Sequence, residues 1–231
     1  MAASTPAPVA TTETPAFNRA AAVTRSLLGY GVLVGPFYLL VGIMQGLLRP
    51  GFSFARHPLS VLANGDYGWV QTANFALTGL MVIAAAVGIA RVVGRVGRAT
   101  TWVLYVYGVC VALAAIFHAD PMDGFPVGTP VGMPTAITTM GMLHFALGAL
   151  GITCLGVSAL LAARMLSRRG ASLMSRLSLM SGLVVLLGFY GGIAVGILGI
   201  WIAVVVGWAW LAMFALYLYR VSPDPGCKPA R

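Results

Sequence analysis

Charge is what this chain has least of: 8% of its 231 residues are Asp, Glu, Lys or Arg, against 59% hydrophobic, and its mean hydropathy is +0.92. So little polar surface cannot clothe a soluble globule, and the bilayer has to be the solvent. Acids number five, and lysine occurs once, as Lys228 near the carboxyl end, which excludes a Schiff base within a helical bundle. No phosphate-cradling glycine loop and no nucleophile-elbow pattern occurs, which sets nucleotide-driven enzymes and α/β-hydrolases aside. Cys110 and Cys154 fall inside apolar runs and Cys227 in a terminal tail, so the sequence offers no extracytoplasmic disulfide. No repeat of about 20 to 50 residues is evident. The first 26 residues are rich in Ala, Thr and Pro and carry no apolar run. They read as a disordered cytoplasmic tail and not as a signal peptide, whose apolar core would lie near the amino terminus.

Six apolar runs are present, at about Leu27–Leu48, Trp69–Val93, Thr100–His118, Thr138–Ala163, Leu177–Val195 and Leu198–Tyr219, each near the roughly 20 residues a crossing requires. The predicted fold class is therefore all-α, a polytopic integral membrane protein with a six-transmembrane-helix bundle over residues 27–220 and short tails at 1–26 and 221–231. Twelve of the fourteen basic residues fall on one face, around Arg25, Arg95, Arg169 and Arg220, and only Arg49 and Arg56 lie on the other. The positive-inside rule then puts both termini in the cytoplasm of a bacterial cell membrane. The basic residues serve as topology determinants that also meet anionic lipid headgroups, and nucleic acid is not a partner.

The helix faces decide which ionisable groups look into protein. In the fourth run, Gly141, His144, Gly148, Gly151, Cys154 and Ser158 follow at steps of three and four, the spacing of a single helical face. Small residues let neighbouring helices approach, so this face is predicted to be buried with His144 pointing inward. In the second run Gln71, Asn74 and Thr78 form a polar stripe, which prefers protein partners or water to hydrocarbon. With Gln45 at the end of the first run, these amides outline a polar pocket open to the extracytoplasmic side. Both amides and imidazoles have an alternative role, hydrogen bonding helix to helix.

The histidines gather with acids in the two loops opposite the arginine-rich face. His57 precedes Pro58, which holds it extended, and the first loop ends in a turn at Asn64–Asp66. The second begins HADPMD, so His118, Asp120 and Asp123 lie within six residues on a turning backbone, a ligand-like spacing. The strings HPLSVLANGDYGWVQTANF, from His57, and HADPMDGFPVGTP, from His118, followed by His144, resemble the bacterial and archaeal six-helix membrane proteins grouped as domain of unknown function number 998. The resemblance covers roughly Leu28 to Tyr219 and implies a six-span fold without an established activity.

Three readings of the cluster follow. In the first, His57, His118, Asp120 and His144 bind a divalent metal, with zinc favoured by imidazole and carboxylate ligands, and the site serves a membrane hydrolase. Asp66 and Asp123 are then the candidate catalytic residues, Asp66 as general base or orienter, and Ser60 is a weaker candidate. In the second, the cluster belongs to a transporter or receptor-like pocket for a small lipid-like amphiphile, lined by Gln45, Gln71 and Asn74. No acid near the middle of a helix supports a proton-coupled pump. In the third, the groups are structural in an accessory subunit, with Asp120 and Asp123 capping turns and glycine pairs mediating packing or homo-oligomerisation.

Overall fold

A computed structural model describes residues 17–226 apart from 133 and 135. Its α-helices are α1 Arg19–Leu48, α2 Gly68–Val93, α3 Arg98–Leu113, α4 Thr139–Arg168, α5 Ser172–Val195 and α6 Ile197–Val221, with 3-10 turns at Leu59–Ala63 and Gly94–Gly97. No strand occurs among the described residues beyond an isolated bridge between Met122 and Phe125. The first helix begins eight residues before the expected Leu27, because the Asn18 side chain accepts the Ala21 N–H at 3.1 Å and caps it there. Of the expected terminal tails, residues 1–16 and 227–231 lie outside the described residues.

Five segments, not six, are both long and apolar enough to cross a bilayer: Arg19–Leu48, Gly68–Leu113, Thr139–Arg168, Ser172–Gly192 and Ile197–Val221. The difference lies in Gly68–Leu113, a 46-residue segment that holds both α2 and the shorter α3. The latter was expected to reach His118 but ends at Leu113, since the Ala115 and Ile116 amides bond three residues back, to Ala112 and Leu113, and tighten the chain out of the α-helix. Through the Gly94–Gly97 turn, α3 folds back along α2 so closely that a Cβ on Gly79 would sit 2.5 Å from the Ala112 backbone nitrogen. Only glycine permits that approach.

Consecutive helices pack side by side and α1 closes on α6, making a ring. At one end the Asn18 N–H donates to the Pro225 carbonyl at 2.8 Å and Arg25 pairs with Asp224 at 2.9 Å, so both ends of the described chain lie together among the arginines. Inside the ring Trp208 of α6 packs against Tyr38 of α1 and Tyr107 of α3, with ring centroids 5.4 and 5.5 Å apart. At the opposite end the chain between α1 and α2 and the chain between α3 and α4 fold over the bundle. The 3-10 turn seats Leu59, Val61 and Leu62 in the core.

Candidate functional site

The loop end is knitted by the residues expected to hold a ligand. His57 is fully buried, between the rings of Phe52 and Phe125. Its Nδ1 accepts the Ser53 N–H at 3.0 Å, so the proton of the neutral ring sits on Nε2, which donates to the Asp123 carbonyl at 3.0 Å. Both nitrogens are thus occupied by backbone, and His57 ties the first loop to the second. Asp123 has φ +50°, the left-handed region, and its Oδ1 accepts the Gly132 N–H at 3.1 Å. Its carboxylate is 4.0 Å from Arg56. Arg49 donates to the Leu62 and Asn64 carbonyls and lies 4.8 Å over the Phe125 ring, joining the same two loops. Burial draws its guanidinium below the ordinary value, opposed by the charge of Asp66. Asp66 itself is exposed.

Asp120 has a separate task. Its Oδ2 accepts the Thr138 N–H at 2.9 Å and its Oδ1 accepts the Thr138 hydroxyl at 2.6 Å, while Thr138 Oγ1 accepts the Gly141 N–H at 3.0 Å. The acid therefore supports the N-cap of α4 from the positive end of the helix dipole, and any side chain at Gly141 would collide with it. His118 Nε2 contacts the Ala115 carbonyl at 3.1 Å and Thr72 Oγ1 at 3.3 Å. His144 is 7% exposed and donates from Nδ1 to the Phe117 carbonyl at 2.9 Å, which pins α4 to the end of the α3 chain. Its Nε2, left as an acceptor in the neutral ring, has no hydrogen-bond partner among the described residues.

The amides expected to line a pocket are instead buried between α1 and α2. Gln45 Nε2 donates to Gln71 Oε1 at 2.9 Å, Asn74 Nδ2 donates to the same oxygen at 3.2 Å and to the Tyr38 carbonyl at 3.2 Å, and Thr78 donates to Asn74 Oδ1 at 3.3 Å. Gln45 Oε1 and Gln71 Nε2 have no partner among the described residues. This chain holds two helices together, the role interhelical amides play in apolar surroundings. No three His, Cys, Asp or Glu side chains among the described residues approach one another closely enough to hold a metal ion.

A space that could hold a ligand lies deeper, in a cavity of about 380 Å³ bounded by the 3-10 turn and by residues of all six helices. Tyr38, Phe75, Tyr107, Trp201 and Trp208 supply aromatic wall, and His144 and Ser60 are the expected site residues that reach it; among the described residues no Asp, Glu, Lys or Arg lines it. Its volume lies within the range of about 300 to 1,000 Å³ usual for small-molecule pockets. An apolar wall with one imidazole and a few hydroxyls can sequester hydrocarbon and satisfy one polar group, but it cannot neutralise a charge. These aromatics are uncharged and lie outside the His/Asp loops, so no ionisable pattern in the sequence points to them. Their signal is position: Tyr38, Tyr107 and Trp208 sit well inside their helices, not at the ends where aromatics of this kind form interfacial belts.

No curated protein and no solved structure matches this chain. The model of one family does, described as Protein of unknown function (DUF998), over residues 32–217. With most of its helical ring inside that match, the chain belongs to the DUF998 family.

Proposed function

We propose that this protein binds a lipid-like amphiphile in the cavity within its helical ring and acts as a receptor or carrier for it, not as a metal-dependent hydrolase. The observation that carries the reading is the aromatic cavity of about 380 Å³, free of charged side chains among the described residues and roofed by Pro58, Leu59 and Ser60 of the first loop, which His57 and Arg49 tie to the second. The hydrolase reading lacks support in the same contacts: Asp120 and Asp123 are engaged in capping and loop closure, and Asp66 is exposed and away from the cavity wall. In this proposal the loop end faces the outside of a bacterial cytoplasmic membrane and the arginine-rich end faces the cytoplasm, an orientation supported by the basic residues.

Protein purified from membranes in mild detergent should carry an apolar molecule at a near-stoichiometric level, seen by native mass spectrometry. Val204→Trp, which fills the cavity wall, should remove that molecule and leave the fold intact. Wild-type protein that carries nothing, and whose tryptophan emission does not respond to brominated lipids, overturns the proposal.

A further inference from the structure

The cavity wall carries a specification for its occupant, and the argument rests on the binding role proposed above. Two facts restrict the polar part of a ligand. With no Asp, Glu, Lys or Arg in the wall among the described residues, a phosphate, carboxylate or ammonium headgroup would lose its hydration without gaining a counter-charge. His144, 7% exposed, has no hydrogen-bond partner at Nε2 among the described residues, and because Nδ1 donates to the Phe117 carbonyl, Nε2 is the acceptor of the neutral ring. An acceptor at the wall of an apolar cavity is complementary to one donor, such as a hydroxyl.

A third fact gives the route. Gly148, Phe145 and Tyr190 line the cavity and are also exposed on the outside of the ring, so the cavity reaches the surface between α4 and α5. A Cβ built on Gly148 meets no atom within 4 Å; the opening has no side chain across it. Gly148 is nine residues into α4, about 13 Å along the axis at ~1.5 Å per residue, which is hydrocarbon depth. The flanking side chains agree: Leu143, Leu150 and Leu187 are 39%, 49% and 71% exposed, as suits a surface bathed in acyl chains. The bond between Thr153 Oγ1 and the Tyr190 hydroxyl, 2.6 Å long, closes the seam between the two helices on the arginine-rich side of the opening.

From these we infer that the cavity takes an uncharged lipid with a single hydroxyl donor, a long-chain alcohol, and admits it sideways from the membrane over Gly148, with the hydroxyl donating to His144 Nε2. The chain would lie against Trp201 and Trp208, which line the cavity and serve as reporters.

The test uses full-length protein in lipid nanodiscs and three probes of equal chain length: an ω-bromo primary alcohol, the corresponding carboxylate and the corresponding bromoalkane. The alcohol should quench tryptophan emission saturably. The alkane should need about five- to tenfold more, the factor one net hydrogen bond contributes, and His144→Phe should bring alcohol and alkane together. Gly148→Leu should slow the approach to saturation at least severalfold, whereas Gly148→Ala should do so less, with thermal stability unchanged in both because the position is open. Equal binding of alcohol and alkane, or tighter binding of the carboxylate, overturns the donor assignment while leaving the binding role intact. Unchanged kinetics in Gly148→Leu overturns the lateral route. Absence of saturable quenching by all three probes overturns the binding role itself.

Discussion

Replacing His57 by Phe keeps the ring's shape between Phe52 and Phe125 and removes both hydrogen bonds. The Ser53 N–H then has no acceptor, and stranding such a donor costs about 1–3 kcal/mol. The Asp123 carbonyl loses its Nε2 donor at 3.0 Å but keeps the Arg56 guanidinium at 3.3 Å, so the second loss is smaller. A total near 3 kcal/mol is about 6–12 °C in apparent Tm for a chain of this size, at roughly 2–4 °C per kcal/mol. His57→Ala should fall further, by about 2 kcal/mol, because a ring-sized cavity is left in a packed site. The assay is thermal unfolding by tryptophan fluorescence at one scan rate, with and without chelator, since unfolding in detergent is governed partly by rates. A Tm for His57→Phe within about 1 °C of wild type, well below the shift expected, refutes the keystone role. So does a chelator that lowers wild type to the level of the variant, because His57 would then act through a metal.

Asp120→Ala should destabilise by about 1–3 kcal/mol through the orphaned Thr138 donors and the weakened α4 cap, and Gly141→Ala should do the same by displacing the carboxylate it touches; thermal unfolding of each single variant and of the pair, which should be less than additive, checks both. Asp224, held below the ordinary carboxylate value of 3.8 by the Gly226 N–H and by Arg25, contributes stability that is present above pH about 4 and is lost as pH falls through its folded value. Asp224→Asn should therefore differ from wild type at neutral pH and converge with it under acid, in Tm measured against pH. Cysteines placed at Val127, 73% exposed, and Val96, 62% exposed, should react with an impermeant maleimide from outside and only after permeabilisation, respectively; the reverse pattern would invert the proposed orientation.

The buried histidine and acids of the loop end illustrate a wider point about membrane proteins. An ionisable group near a bilayer demands an explanation, and structure is an explanation of equal standing with chemistry. Asp120 spends its two oxygens on a helix cap, and His57 spends its two nitrogens on backbone from chain segments 4 and 66 residues away. The cavity, which carries the functional argument, borrows from that cluster only His144.

What the sequence determined by itself was everything local. Hydropathy identified the helical membrane class, since a crossing is a contiguous run. The three-and-four spacing of Gly141, His144, Gly151 and Ser158 put these residues on the buried face of α4, and that of Gln71, Asn74 and Thr78 did so for α2, because periodicity is a property of one helix. The loop strings around His57 and His118 pointed to the DUF998 family. Tertiary structure alone decided the rest. The end of α3 at Leu113 depends on three-residue turns that hydropathy does not register. The use of each histidine nitrogen depends on which distant carbonyl or amide meets it, and the amides of α1 and α2 became a helix-to-helix chain because Gln45 reaches Gln71 across 26 residues. The cavity exists only once α1 closes on α6, when Tyr38, Tyr107 and Trp208, distant in sequence, come to share one wall. Gly148 belongs to the same sequence stripe as its buried neighbours, yet it stands open at the mouth of that cavity, because helix spacing gives a direction and only packing says what lies there.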